Sequence, residues 1–216
     1  MEIKQSWFRI FGLFGILGGL MFFAGDLLFY FSPSSIDLKL NMANSSNNRI
    51  VLSGIVGLFA TWFYVLGLVQ VYFAFSPSKP IYRNVMIGSF AAILISYGVI
   101  HGAYVAIATS AKLALENNLD IEQAASLALE TNNMMRLFIY PIFALMSYLF
   151  ISEVWKKRTL YPRWIIVFFP LVTFLFKGAF ANIPNNSLWI IINGGFLNLI
   201  LVIFFAASTI ALWNRK

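Results

Sequence analysis

The chain has 216 residues, of which 60% are hydrophobic and only 11% charged, with a net charge of +7 and no cysteine. A soluble domain carries about 25% charged residues, so this composition excludes an ordinary soluble domain and predicts an all-α integral membrane protein. The absence of cysteine from the sequence excludes disulfides, thiolate catalysis and cysteine-based zinc sites.

Six apolar runs along the chain are each about as long as a helix that crosses a bilayer. They predict a single membrane domain, residues 1–216, built as a six-transmembrane-helix bundle. Between the third and fourth runs, Asp120 is a predicted N-cap for a short amphipathic helix at the membrane surface, residues 121–130. The predicted transmembrane helices are residues 10–31, 50–75, 85–111, 134–154, 164–181 and 188–213. The fifth is predicted to be kinked or strained at Pro170.

Basic residues cluster at the ends of these runs, and ten of the fifteen lysines and arginines fall on the side that holds both termini. The positive-inside rule therefore predicts that the N- and C-termini are cytoplasmic. Together with the apolar helical runs, this predicts a multi-pass protein of the cell (inner) membrane. Five of the six tryptophans fall at the predicted membrane interfaces, which supports the same threading. Basic residues in these positions predict membrane lipids as partners and argue against nucleic acid.

The first predicted helix has a stripe of small residues on one face. Gly15 and Gly19 have the spacing that lets helix backbones approach closely in lipid. Asp26 lies on the same stripe, so we expect its carboxylate to face protein and not the acyl chains. The third predicted helix carries the only histidine of the sequence, His101, within an otherwise apolar run.

Three ionisable residues of the apolar runs are predicted at one depth. At about 1.5 Å per residue, Asp26 and His101 lie roughly 24 Å above the inner edge of the membrane, and Lys177 lies roughly 20 Å above it. A charge at this depth costs about 2.5 kcal/mol or more unless it is paired or hydrated. We therefore expect these side chains to face one another in a polar pocket that opens to the outside. The predicted lining residues are Asp26, Tyr97, His101, Tyr104, Arg136, Lys177, Asn193 and Asn198.

Each of these residues also has a simpler interpretation. Asp26 and Lys177 can form a buried ion pair that fixes two helices, and His101 can be a hydrogen-bonded interior histidine. Arg136 can be an anchor at the membrane interface. One histidine and one buried carboxylate are too few to predict a metal site, and no cofactor is expected because no cofactor motif occurs in the sequence.

Three stretches of the sequence resemble a family of uncharacterised small bacterial six-pass membrane proteins. They are residues 18–30, which include Gly25-Asp26, residues 100–108, which include His101-Gly102, and residues 159–164. The resemblance covers nearly the whole chain. It implies the six-pass fold and the membrane localisation, and it implies no particular activity.

Three functions agree with these features. The first is binding or transport of a small polar or amphiphilic ligand at the pocket, with Asp26 and Lys177 recognising charge and His101 responding to protonation. The second is a membrane-embedded enzyme acting on a lipid, with His101 and Asp26 as an acid/base pair and Lys177 or Arg136 holding an anionic headgroup. The third is a structural or partner-binding protein in which the polar residues set the helix register. Whether the chain is an enzyme therefore stays open at this level.

Overall fold

The computed structural model describes residues 4–33, 35–178 and 187–214, and within them the regular structure is all-helical, as the composition predicted. A 3-10 helix, Arg163–Phe168, precedes the sixth α-helix. The α-helices of the described residues are, in chain order, α1 (Gln5–Tyr30), α2 (Leu38–Asn44), α3 (Asn47–Ala74), α4 (Pro80–Glu116), α5 (Ile121–Trp155), α6 (Pro170–Leu175), α7 (Ser187–Gly194) and α8 (Phe196–Leu212).

Four of these helices, α1, α3, α4 and α5, are long and apolar enough to cross a membrane, and α7 with α8 forms a further such stretch that is bent by 70°. The outward faces carry large apolar side chains, among them Leu13 and Leu17 on α1 and Ile55 and Leu58 on α3. Apolar surface on this scale is suited to contact with lipid tails and not with water. The chain is therefore a multi-pass membrane protein.

The helix predicted at the membrane surface, residues 121–130, is not a separate element. The Asp120 side chain accepts a hydrogen bond from the Gln123 backbone N–H at 3.1 Å, which confirms the predicted N-cap. From there α5 runs without a break to Trp155. No glycine or proline occurs between residues 121 and 140 to interrupt the helix. The predicted surface helix and the predicted fourth span are thus one helix.

The predicted fifth helix, residues 164–181, is interrupted at Pro170, where the sequence predicted a kink. The backbone of Phe169 is extended, with φ −70° and ψ 141°, because Pro170 disfavours helical backbone in the residue before it. The segment therefore divides into the 3-10 helix and the short helix α6. The predicted end of this span falls in residues 179–186, which lie outside the described residues.

The predicted last helix, residues 188–213, is present but bent. Its two parts, α7 and α8, meet at Gly195. A Cβ added to Gly195 would lie 2.2 Å from the ring of Phe23 on α1. The bend therefore brings the helix backbone directly against α1, where no larger residue fits without movement.

α1 packs against α3 and α8 through its glycines. A Cβ added to Gly15 would lie 2.2 Å from the ring of Phe205 on α8, and one added to Gly67 on α3 would lie 2.5 Å from the Gly15 backbone. A Cβ on Gly19 would lie 2.5 Å from the side chain of Val202. These contacts confirm the close helix approach that was predicted from the spacing of Gly15 and Gly19.

Aromatic side chains hold the interrupted segment in the core. Phe169 stacks on Phe150 of α5 with 4.2 Å between ring centroids, and it meets Phe204 of α8 edge-on at 5.7 Å. All three rings are fully buried. Because each large ring buries a large apolar area, these contacts fix residues 163–170 against α5 and α8 although the segment is not a regular helix.

The two ends of the described chain lie at the same end of the bundle. The Gln5 side chain donates a hydrogen bond to the backbone oxygen of Leu212 at 2.6 Å. The Arg9 side chain donates to the backbone oxygen of Trp213 at 3.1 Å, and its guanidinium lies 4.7 Å from the centroid of the Trp213 ring. The start of α1 and the end of α8 are therefore neighbours.

A buried chain of hydrogen bonds crosses the bundle near that end. The Ser208 hydroxyl donates its proton to Gln70 Oε1 at 2.7 Å. It therefore accepts the hydrogen bond from the Tyr161 hydroxyl, which lies 2.7 Å away. The Gln70 amide nitrogen donates in turn to the backbone oxygen of Phe8 at 2.8 Å. These hydrogen bonds link the residues that follow α5 with the helices α8, α3 and α1.

Candidate functional site

His101 of α4 is enclosed in the core and has a partner at each ring nitrogen. Its Nδ1 lies 3.1 Å from Asp26 Oδ1, and its Nε2 lies 3.0 Å from the backbone oxygen of Ser53 on α3. The rings of Phe22 and Phe29 lie at centroid distances of 5.2 and 5.4 Å. The side chain is only 5% exposed, so its position is set by these contacts and not by solvent.

The hydrogen bonds around His101 determine where its protons lie. The backbone oxygen of Ser53 only accepts, and the Ser53 hydroxyl donates its proton to the backbone oxygen of Gly25 at 2.8 Å. His101 Nε2 must therefore carry a hydrogen. The contact between Nδ1 and Asp26 then holds one further proton, whether it resides on the nitrogen or on the carboxylate oxygen. In either arrangement the Asp26–His101 pair has no net charge.

The second oxygen of Asp26 continues the hydrogen bonding into α8. Asp26 Oδ2 accepts from the Asn198 side-chain amide at 2.7 Å, and Asn198 Oδ1 accepts from the Tyr64 hydroxyl at 3.2 Å. Asp26 lies on α1, Tyr64 on α3 and Asn198 on α8. With His101 on α4, these side chains form one polar cluster that joins four helices. We call the set Ser53, Tyr64, Asp26, His101 and Asn198 the Asp26–His101 cluster.

Small residues on α1 and α3 make room for the imidazole. A Cβ added to Gly57 would lie 2.4 Å from His101 Cδ2, and one added to Gly25 would lie 3.5 Å from the ring. Ser53 and Gly57 are four residues apart and so share one face of α3. This face therefore supplies both a hydrogen-bond partner for the histidine and the space for its ring.

A second polar contact joins α4 to α5 near this cluster. The Arg136 guanidinium donates to the Tyr104 hydroxyl at 2.9 Å and lies 5.3 Å from the centroid of the Tyr104 ring. The Tyr104 ring lies 5.9 Å from that of Tyr30. Arg136 also interacts electrostatically with the Asp26 carboxylate. Among the described residues, no carboxylate lies within 4.0 Å of the Arg136 guanidinium.

The remaining predicted lining residues occupy other positions. Tyr97 is half-buried and packs against the main aromatic core, and Asn193 is half-buried on α7. Lys177 is exposed, with its ammonium 5.9 Å from the ring centroids of Phe174 and Phe196.

The predicted contact between Asp26 and Lys177 is not seen in the described residues. Both oxygens of Asp26 have other partners, in His101 and Asn198. The division of the predicted fifth helix at Pro170 leaves the chain around Lys177 exposed. The structure therefore brings together Asp26, His101 and Asn198, with Tyr104 and Arg136 beside them.

A separate cleft of about 440 Å³ lies between α2 and α5. An ion pair between Lys39 and Glu122 closes one side of it. Its lining includes Lys39, Glu122, Ser126, Glu130, Asn133 and Leu137. None of the eight residues predicted to line a pocket borders this cleft, so it differs from the predicted pocket.

Two members of the cluster, Ser53 and Tyr64, were absent from the predicted set. Both are scattered polar residues of one long apolar run, which also contains Thr61 and Gln70, and such residues are by themselves a weak sign of function. The four-residue spacing of Ser53 and Gly57 is the sequence feature that points to a small, polar helix face. Its importance becomes evident only when α4 places a histidine against it.

No curated protein and no solved structure matches the chain. A family model does match, over residues 1–215, and its description is a family of unknown function, DUF6796. The expected resemblance to an uncharacterised family is thereby confirmed, and the chain belongs to the DUF6796 family.

Proposed function

We propose that the protein crosses the cell (inner) membrane of a bacterium six times, with both termini in the cytoplasm. Support for the orientation comes from the charge distribution, because Lys79, Arg83 and the basic run 156–158 fall at the same end of the bundle as Gln5 and Trp213. An excess of basic residues on one side is typical of the cytoplasmic face.

The interrupted segment 163–175 supports a sixth crossing. Successive contacts follow α8 in the antiparallel direction: Tyr161 bonds Ser208, Phe169 meets Phe204, and Phe174 lies 6.3 Å from Phe196. From Ser208 to Phe196, α8 rises by about 18 Å, at about 1.5 Å per residue. The segment thus covers more than half of a hydrocarbon core of about 30 Å.

We infer that the protein binds or transports a small polar or amphiphilic ligand at the level of the Asp26–His101 cluster. The observation that carries this proposal is the neutral Asp26–His101 pair, which holds one shared proton at a junction of four helices. Ionisable side chains within membrane spans are functional candidates. Histidine is the side chain whose charge changes most readily near neutral pH. A ligand at this level can therefore be recognised differently in the two protonation states.

The other predicted residues have places in this proposal. Tyr104 and Arg136 provide a hydroxyl and a cation beside Asp26. The Lys177 ammonium lies 5.9 Å from the ring centroid of Phe196, and Phe196 precedes Asn198 by two residues. Lys177 would therefore provide a second cation at the edge of the site. Tyr97 and Asn193 are half-buried and would provide further polar contacts.

A structural role is the alternative with a specific observation in its favour. Both ring nitrogens of His101 and both oxygens of Asp26 have hydrogen-bond partners, which is what a cluster that only fixes helix register needs. The lipid-enzyme hypothesis has less support. His101 is only 5% exposed, and the nitrogen that faces away from Asp26 is bonded to Ser53.

Ligand-induced stabilisation of the purified protein in nanodiscs separates these possibilities. The probes are dodecyl phosphate, dodecylphosphocholine and dodecyltrimethylammonium, each tested between pH 5 and 8. A ligand that binds the folded state raises the unfolding temperature. We expect at least one probe to stabilise the wild type with a pH dependence beyond that of the probe's own ionisation, and Asp26→Asn to remove this additional dependence.

The control variant is Glu153→Gln, which changes a buried carboxylate at the opposite end of the bundle. It should lower the unfolding temperature but preserve the ligand-induced shift. If Asp26→Asn also lowers stability while every probe shifts it as in the wild type, the cluster has the structural role and ligand binding at Asp26 is refuted.

A further inference from the structure

Arg136 is a half-buried cation whose recorded hydrogen-bond partner is a hydroxyl. Its guanidinium has five N–H donors in a fork that matches the oxygens of a carboxylate or a phosphate. One of its nitrogens donates to Tyr104. Arg49, the other half-buried arginine at this level of the bundle, differs because it donates to the backbone oxygens of Leu27 and Phe31.

In the described part of the chain, the Arg136 guanidinium has no direct ion-pair partner. The nearby Asp26–His101 pair shares a proton and has no net charge, so it does not neutralise the guanidinium. An isolated charge in a partly buried position is unfavourable unless a counter-charge is near. The local charge therefore favours an anion.

Asn132 provides an independent observation on the same helix face. It precedes Arg136 by four residues on α5, so the two side chains are neighbours. Asn132 is 0% exposed, and neither its Nδ2 nor its Oδ1 has a hydrogen-bond partner in the described part of the chain. A buried, unpaired amide is rare in folded proteins and calls for a specific explanation. Its N–H groups can serve an acceptor oxygen.

The surface beside Arg136 is apolar. Ile139 and Tyr140 of α5 follow Arg136 by three and four residues and so lie on its side of the helix. Ile139 is half-buried, and the Tyr140 side chain is 61% exposed. A ligand with an alkyl chain can lay that chain along this surface while its charged group reaches Arg136. The neighbouring residues therefore fit an amphiphile better than a small hydrophilic ion.

We propose that the ligand carries an anionic oxygen group, a carboxylate or a phosphate, that is bound by Arg136 and Asn132 of α5 beside Tyr104. This inference rests on the proposed function and specifies the chemical class of its ligand. The guanidinium supplies the charge and two parallel hydrogen bonds. The Asn132 amide, one helical turn from Arg136 on the same face of α5, supplies a further donor. The same group can belong to a lipid headgroup or to a free anion.

Direct binding measurements test the proposal. The full chain in phosphatidylcholine nanodiscs is titrated with dodecyl phosphate, with inorganic phosphate and with dodecyltrimethylammonium. We expect dodecyl phosphate to bind, and Arg136→Gln to weaken its binding by about tenfold or more, as for loss of a charge-assisted bidentate contact. Arg136→Lys keeps the charge without the fork and should bind with intermediate affinity. The matched control, Arg49→Gln, should bind as the wild type does.

Asn132→Leu gives a readout that does not depend on charge. Since the amide has no partner within the described residues, replacing it with an apolar side chain should leave the unfolding temperature unchanged or raise it. Binding of dodecyl phosphate should nevertheless weaken by about threefold or more, the effect of one lost hydrogen bond. Equal affinity in Asn132→Leu and the wild type would remove Asn132 from the site and overturn the proposal.

The probes distinguish the two sources of the anion. Binding of dodecyl phosphate alone supports a lipid headgroup, and comparable binding of inorganic phosphate supports a free anion. Equal weakening by Arg136→Gln and Arg49→Gln overturns the proposal. If only dodecyltrimethylammonium binds, and does so through Asp26, the anion inference fails while the proposed function stands. If binding of dodecyl phosphate depends on Arg136 but not on Asp26, the anion inference stands while ligand binding at the Asp26–His101 cluster fails.

Discussion

Replacing Gly57 with alanine would press a methyl group against the His101 ring. The added Cβ would lie 2.4 Å from Cδ2 and 2.9 Å from Nε2 of the histidine, which is well inside normal contact distance. The ring is not free to rotate away, because its nitrogens hydrogen-bond Asp26 and Ser53. We therefore expect the ring to shift and to lose at least one of these bonds.

The size of the effect follows from two costs at the Gly57 site. Overpacking of a tight core costs about 1–3 kcal/mol, and a hydrogen bond that involves a charged group contributes about 1.5–3 kcal/mol. Losing the bond relieves part of the clash, so the two costs do not add in full, and we expect destabilisation by about 3 kcal/mol. In a chain of this length, each kcal/mol changes the unfolding temperature by about 2–4 °C, which gives a fall of about 6–12 °C.

The chain offers a matched control one residue from the histidine. Gly102 also lies in α4, and a Cβ added there would have nothing within 4 Å. Alanine is the better helix former, so Gly102→Ala should leave stability unchanged or raise it by up to about 1 kcal/mol. Both variants are compared with the wild type by tryptophan fluorescence during heating in nanodiscs. Equal unfolding temperatures for Gly57→Ala and Gly102→Ala would refute the tight packing of His101.

Two further predictions concern the end of the bundle that holds the termini. Ser78→Ala removes the hydroxyl that donates to the buried Glu153 carboxylate at 2.6 Å, and should cost about 1.5–3 kcal/mol; Ser96→Ala, within α4, is the control and should cost less. Tyr161→Phe should cost about 1 kcal/mol at pH 7 through the lost bond to Ser208. Burial raises the pKa of Tyr161 above its ordinary value of 10.0. The contribution of the Tyr161 side chain to the free energy of unfolding is therefore fully present below about pH 10 and is lost as the pH rises toward the folded-state pKa. The difference in unfolding temperature between wild type and Tyr161→Phe should narrow in alkaline buffer, and a constant difference would contradict this.

The all-α class and most of the long helices could be predicted because each depends on local sequence. An apolar run of sufficient length predicts a span, and Asp120 marks the start of α5 because its side chain bonds the first turn. Pro170 predicted a kink, but neither the full break of the helix there nor the bend at Gly195 was predicted. Proline and glycine also occur within regular membrane helices, where neighbouring groups satisfy the backbone. The difference lies in tertiary contacts such as the stacking of Phe169 on Phe150.

Depth alone could place candidate residues at one level but could not assign their partners. Asp26 and His101 were expected at the same depth, and their side chains lie 3.1 Å apart. Lys177 was assigned a depth on the assumption of a straight helix, which Pro170 interrupts. Tyr64 could not be identified, because its contact with Asn198 depends on the rotation of α3 and α8 about their own axes.

The contacts that join α1, α3 and α8 to one another differ from the contact that joins α4 to these three helices. α1, α3 and α8 are joined through glycine contacts and through hydrogen bonds at both ends. The polar contact between α4 and these helices passes through the bonds of His101 to Asp26 and Ser53. A proton gained or lost by the Asp26–His101 pair therefore changes the contact between α4 and the other three helices.

Arg136 can act on the same contact, because it bonds Tyr104, which follows His101 by three residues on α4. An anion held at Arg136 would favour uptake of a proton by the neighbouring pair, since the opposite charges attract. By thermodynamic reciprocity, protonation of the pair would then strengthen anion binding to the same extent. If Arg136 and the pair form one site, affinity for an anion whose own charge is constant over the pH range must rise as the pH falls, and Asp26→Asn must remove that rise even though residue 26 does not contact the anion.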